Sequence, residues 1–212
     1  MNDKEIRLSA IENIELREEE TDGEKEMWLC GYPIVFGQRT LIGTEENGYY
    51  EVIDRNAFDN CDMSDVCLRY NHLNGFLVLA RTRNKSLELT VDEHGVYMRA
   101  KLIPTSTNKD IYLMAQSGLL SQGSFAFTVE DQKIERSEGK VVRNITKIKR
   151  MFDVSVVDTP AYPGTEIYAR SLEKMEPFMN EPVVEEPVVE RMSENLRNLC
   201  MLYGDVKKVI NL

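Results

Sequence analysis

A mainly β domain with one central helix, its strands curled or closed into a barrel, is the fold class that this 212-residue sequence predicts. Three observations point to it. Between Ile6 and Arg170, short runs rich in Val, Ile, Tyr and Phe are separated by Gly, Asn and Asp, the punctuation of strands. Ser86–Val91 alternates strictly, turns through Asp92-Glu-His-Gly95, and returns as Val96–Ile103 with the same two-residue period, which is a hairpin. One helical segment stands out among the strands. Thr107 or Asn108 caps Lys109–Ser117, Ile111, Leu113 and Met114 are its apolar residues, and Gly118 ends it.

The elements follow in order. Residues 1–26 hold ten acidic and four basic side chains and read as an acidic extension, within which Ile6–Ile11 has the pattern of a strand able to pair with the barrel edge. Trp28–Phe36, Tyr49–Ile53 and Val66–Tyr70 are the next strands, ahead of the hairpin and the helix. Gly123–Val129, Gln132–Glu135, a Ser137-Glu-Gly139 turn and the β-branched stretch Val141–Val157 complete a domain expected over 27–170. Residues 171–190 read as a linker. There Glu181-Pro-Val-Val-Glu185 is repeated at once as Glu186-Pro-Val-Val-Glu190, and proline together with repelling glutamates favours an extended spacer. In 191–212 apolar residues recur at Met192, Leu196, Leu199, Tyr203, Val206 and Ile210, with Ser193 as a cap. This is an amphipathic helix that docks on a partner or covers the domain.

Composition excludes several classes. Hydrophobic residues at 42% and charged residues at 29% are those of a globular chain. No stretch approaches the roughly 20 apolar residues of a spanning helix, and Met1–Glu5 lacks the basic start of a secretory signal, so a cytoplasmic protein is expected. A net charge of −10 argues against nucleic acid, because phosphate neutralisation needs clustered Lys and Arg. The 191–212 segment lacks the strongly basic face of a membrane-binding helix. Cys30, Cys61, Cys67 and Cys200 form no CxxC pair and no cluster with histidine, so neither a zinc site nor a disulfide framework is expected.

Two histidines limit the choice of a general base. His94 lies in the hairpin turn and reads as an exposed turn residue. His72 follows the strand Val66–Tyr70, within Tyr70-Asn-His-Leu-Asn-Gly75, where a structural role and a functional one both stand open. Ser124 sits after Gly123 and before Phe125-Ala-Phe127, where helix gives way to strand; it is a turn residue or an exposed nucleophile. Asp153 interrupts the apolar run Met151–Val157, and a buried carboxylate needs a partner, either a cation or a histidine that it orients. A thiol nucleophile, Cys67 or Cys61 with His72, is a further arrangement.

Taken in order, Gly31-Tyr-Pro-Ile-Val-Phe36, Tyr50-Glu-Val-Ile-Asp-Arg-Asn-Ala-Phe58, Asn71-His72, Asp92-Glu-His-Gly-Val96, Gly123-Ser-Phe-Ala-Phe127 and Asp153-Val-Ser-Val-Val-Asp-Thr-Pro-Ala-Tyr-Pro163 resemble the prohead (capsid maturation) proteases of tailed bacteriophages. The resemblance covers roughly residues 27–170. It implies a serine endopeptidase with the herpesvirus-assemblin fold, a curled β-barrel with a few flanking helices. It also implies that His72 and Ser124 occupy catalytic positions and that no metal or cofactor takes part. Herpesvirus relatives use a second histidine as third member, whereas the phage branch uses an acidic residue; Asp153 matches that position, with Asp158 behind it and His94 the histidine alternative. Ala126 departs from the glycine usual two residues after the serine. The implied substrates are the scaffolding segment of the major capsid protein, internal head proteins and the protease itself. The implied setting is the prohead in the host cytoplasm, with activity that depends on self-association. The alternative is a catalytically inactive scaffold or assembly protein with the same fold.

Overall fold

Eleven strands and two helices make up the part of the chain that the structure, a computed structural model, describes: residues 4–10, 12–21, 24–73, 78–158 and 166–180. The strands are β1 (Glu5–Ala10), β2 (Glu12–Thr21), β3 (Glu24–Val35), β4 (Thr40–Ile42), β5 (Tyr49–Ile53), β6 (Cys67–Tyr70), β7 (Ala80–Arg81), β8 (Leu87–Val91), β9 (Gly95–Leu102), β10 (Gln122–Ser137) and β11 (Lys140–Val157). The helices are α1 (Ser106–Gln116) and α2 (Glu166–Met179). The expected Pro/Glu repeat and amphipathic helix, residues 181–212, lie outside the described residues.

The mainly β class stands. The described strands form two sheets and no closed barrel. One sheet has seven strands, running β1-β10-β11-β5-β4 with β6 also on β11 and β7 on β6; the other has four, in the order β2-β3-β9-β8. The pair β10 and β11 organises the first. The two strands are antiparallel from Gln122↔Val157 to Ser137↔Lys140, with irregularities between Ala126 and Gln132 that merge the two expected short strands into one bent one. Along the other edge of β11 the chain docks two parallel partners, β5 at Val142–Ile145 and β6 at Asp153–Val156.

Burial follows this layout. The first part of β10, Gly123–Thr128, and the last part of β11, Asp153–Val157, are buried continuously rather than alternately, as happens when both faces of a strand are covered. Phe125 and Phe127, two apart and therefore on one face, stack at 5.1 Å and join Leu29, Leu68, Met98, Met151 and Val154 in the core. Each such side chain contributes roughly 1.5–3 kcal/mol by leaving water. Ser124 and Ala126 take the opposite face.

The hairpin forms as expected, β8 against β9 from Leu87↔Ala100 to Val91↔Val96. Asp92 holds its turn, its Oδ1 accepting from the amides of His94 at 2.8 Å and Gly95 at 3.0 Å. Gly95 has to be glycine because β3 comes too close: a Cβ there would stand 2.0 Å from the Ile34 carbonyl oxygen.

Three local expectations change. Thr105, not Thr107 or Asn108, caps α1, its hydroxyl accepting from the Asn108 amide at 3.1 Å. The helix's inward face is formed by Asn108, Ile111, Tyr112 and Ala115, with Met114 partly buried against the core, while Leu113 is 57% exposed. The glutamate-rich residues 12–21 form β2 despite poor strand propensity, because pairing with β3 (Leu16↔Leu29, Arg17↔Trp28) supplies the hydrogen bonds. Helix α2 runs through residue 171, where the linker was expected to begin, and Met175 is buried against Ile42, Tyr49 and Val141.

Candidate active site

The site is built where β6 ends beside β11. Parallel pairing in register from Cys67↔Asp153 to Tyr70↔Val156 brings the chain out at the end of β11. Asn71 and His72 then adopt left-handed backbone, φ 49° and 53°, which reverses the chain at some conformational cost. Hydrogen bonds hold the reversal. The Asn71 amide donates to the Val156 carbonyl at 3.0 Å, the His72 amide to Ser155 Oγ at 3.1 Å, and Asn71 Nδ2 to Asp158 Oδ1 at 3.0 Å. The Tyr70 hydroxyl also donates to Asp158.

This reversal lays the imidazole over one face of the β10–β11 pair. Ser124 and Ser155 are cross-strand partners, Ala126 pairs with Asp153, and Asp153 and Ser155 are two apart, so all four side chains share that face. His72 Nε2 lies 2.5 Å from Ser124 Oγ, and Nδ1 contacts Asp153 Oδ1. Ser155 Oγ stands 3.2 Å from Nδ1 and donates to Asp153 Oδ1 at 3.4 Å. The second carboxylate oxygen of Asp153 accepts from Lys4 Nζ at 2.9 Å, and Ser124 Oγ donates to the Arg7 carbonyl at 2.8 Å. Ser124 is 0% exposed and the imidazole 12%.

The electrostatics suit an ionised carboxylate. Burial alone would raise the pKa of Asp153, but hydrogen bonds and charge from His72 and Lys4 outweigh it and hold the carboxyl below its ordinary range. Serine, imidazole and carboxylate in contact are what acyl transfer by an activated hydroxyl needs: a nucleophile, a base within hydrogen-bond reach and a group that orients the base.

The other sequence candidates fall elsewhere. His94 stays in the β8–β9 turn, edge-on to Tyr32 at 4.6 Å. Asp158 serves the backbone reversal through Tyr70 and Asn71. Cys67 is a buried residue of β6, and burial pushes the Cys61 thiol up to about 12, which keeps it neutral and unreactive. Among the described residues no group of three or more His, Cys, Asp or Glu side chains is placed to hold a metal ion. Sequence reasoning missed Ser155, although its place two residues after Asp153 puts it on the same strand face. It also missed Lys4 and Arg7, which carry no local signal.

A mainly β protein with these contacts belongs in class with the serine hydrolases. The chain matches the caudovirus prohead serine protease family over residues 12–178 and belongs to it, which places it among the serine proteases of tailed-phage capsid maturation. Among solved structures, that of the bacteriophage T4 capsid assembly protease is similar at a TM-score of 0.48 and 10% sequence identity, covering 75% of this chain and 100% of that one. No curated protein matches.

Proposed function

We propose that this chain is an endopeptidase that cuts the scaffolding segment of the major capsid protein, internal head proteins and itself, with Ser124 as nucleophile, His72 as base and Asp153 as the orienting carboxylate. The observation that carries this reading is the continuous path Asp153–His72–Ser124 in a chain of a serine protease family.

In acylation Ser124 Oγ bonds to the scissile carbonyl carbon while its proton passes to His72 Nε2. The imidazolium returns that proton to the leaving amine as the C–N bond breaks. Water then loses a proton to His72 and its oxygen attacks the acyl carbon, and Ser124 Oγ leaves, regaining its proton. Asp153 remains ionised and holds Nδ1–H, which fixes the tautomer that leaves Nε2 free to accept. This chemistry asks for no cofactor.

The proposed workplace is the inside of the prohead in the host cytoplasm, where confinement raises effective concentration and favours self-association to a dimer or higher form. In the same reading the Pro/Glu repeat before residue 191 and the helical pattern after it tether the domain of 27–170 to scaffold or capsid protein, and self-cleavage removes the tether.

Co-expression with the neighbouring major capsid protein tests the function, with both chains read by intact mass. Shortened capsid protein with the wild type and full-length capsid protein with Ser124→Ala is the expected result. Uncut capsid protein in both, with shells still forming, would establish the inactive scaffold instead.

A further inference from the structure

Taking Ser124 as the nucleophile, we propose that the edge of β10 is the seat of the substrate strand, and that β1 occupies this seat in cis and keeps the site shut. The seat accepts an extended peptide with a carboxylate and, two residues later, a guanidinium.

Five observations converge on β1. It runs antiparallel to β10 from Glu5↔Phe127 to Ala10↔Gln122, along the stretch that holds Ser124. Extended peptides are commonly recognised by such strand addition, in which the main chain supplies affinity and side-chain pockets supply selectivity. Leu8 is the register partner of Ser124, and the carbonyl just before it, that of Arg7, accepts from Ser124 Oγ at 2.8 Å. The peptide unit Arg7–Leu8 therefore lies at the nucleophile. A hydroxyl has one proton to give. The Arg7 carbonyl competes for it with His72 Nε2, and the hydroxyl meets that carbonyl at its oxygen rather than its carbon.

Lys4, just before β1, adds a second block by pairing with Asp153 at 2.9 Å, the carboxylate that should answer the imidazolium. The side chains then define the pocket. Arg7 reaches Glu51 through Nε at 2.6 Å and Nη2 at 2.8 Å, while Glu5 receives Arg143 at 2.7 and 3.0 Å; all four side chains are buried. Arg143 also contacts Glu51 at 2.9 Å, so the pocket keeps a neutral pair of its own when β1 leaves. An incoming strand that brings one carboxylate and one guanidinium preserves the balance, and one that brings a single charge does not. Finally, the family match begins at residue 12, so β1 lies outside it while His72, Ser124, Asp153, Glu51 and Arg143 lie inside.

The test keeps the full chain until β1 is released. A recognition sequence for a site-specific protease is inserted after Ala10, the intact protein is purified, and it is then cut and diluted. Two readouts follow: the rate at which a fluorophosphonate labels Ser124, and binding of a fluorescent peptide of residues Lys4–Ala10 to the cut protein. Release of β1 should raise the labelling rate at least about tenfold, and added peptide should reverse the gain. A peptide with Glu5→Ala, which brings the Arg7 guanidinium alone, should bind at least about tenfold more weakly, because a single added charge upsets the balance of the buried Arg143–Glu51 pair. Labelling that is unchanged or slower once mass spectrometry shows β1 gone overturns the proposal. So do equal binding of the two peptides and melting of the cut chain on losing β1. No adduct in either form, alongside sequence-dependent peptide binding, would refute the nucleophile and the shut site with it, while leaving the strand seat in place.

Discussion

Asn71 and His72 carry much of the site's cost, as two consecutive non-glycine residues with positive φ. Such backbone persists only where its surroundings over-determine it. Here Asp158 does so by accepting from both Tyr70 and Asn71. Asp158→Ala should lower kcat by roughly tenfold to a hundredfold with little change in KM, since a displaced base costs rate rather than binding. Asp158→Asn keeps an acceptor and should recover most of the loss in the same kinetic assay. Asp153→Asn is expected to act differently. It leaves the shape intact but allows the wrong imidazole tautomer, and steady-state rates should fall by roughly 10³ to 10⁴. The identities of these residues were readable before any fold was known. A carboxylate inside an apolar run, a histidine just past a strand and a serine after glycine each stand out locally. Their meeting was not readable, because it depends on the parallel register of β6 on β11, which no local pattern encodes.

At the scale of elements, legibility followed the range of the interactions. The β8–β9 hairpin showed through because strict alternation and an Asp-x-x-Gly turn are neighbours in sequence. The face of α1 did not. Leu113 and Met114 are more apolar than Tyr112, yet packing against the core buries Tyr112 and Ala115, takes in Met114 only partly and leaves Leu113 outside. Paired substitutions check this: Ile111→Ala should cost about 2–5 kcal/mol in chemical denaturation, as burial demands, and Leu113→Ala less than about 0.5 kcal/mol. Strand β2 was hidden for the complementary reason, since its glutamates gain strand geometry only from β3.

The whole molecule ties its strands together with charges far apart in sequence. Glu5, Arg7, Glu51 and Arg143 meet in one buried cluster with Tyr49, whose hydroxyl burial pushes up to about 12. No reading of the sequence groups residues so widely spaced. The cluster sets the acid limit of the fold. Burial alone would raise the Glu5 carboxyl, but Arg143 and Arg7 reverse that and bring it from 4.5 to about 2. A depressed folded value means that the stabilisation is complete above pH 4.5 and drains away as pH falls toward 2. Up to about 3 kcal/mol should be lost across that window in denaturant titrations at stepped pH, and Glu5→Gln should show a flatter profile over the same range. Asp153, also held low, adds to the slope in the same direction.

The most direct measurement is to react the full chain to completion with a fluorophosphonate and locate the adduct by tandem mass spectrometry. One phosphonyl group on Ser124, lost in His72→Ala, is the expected result. An adduct on Ser155 or another residue, or none under conditions in which co-expressed capsid protein is shortened, would contradict the assignment of Ser124 and His72 as nucleophile and base.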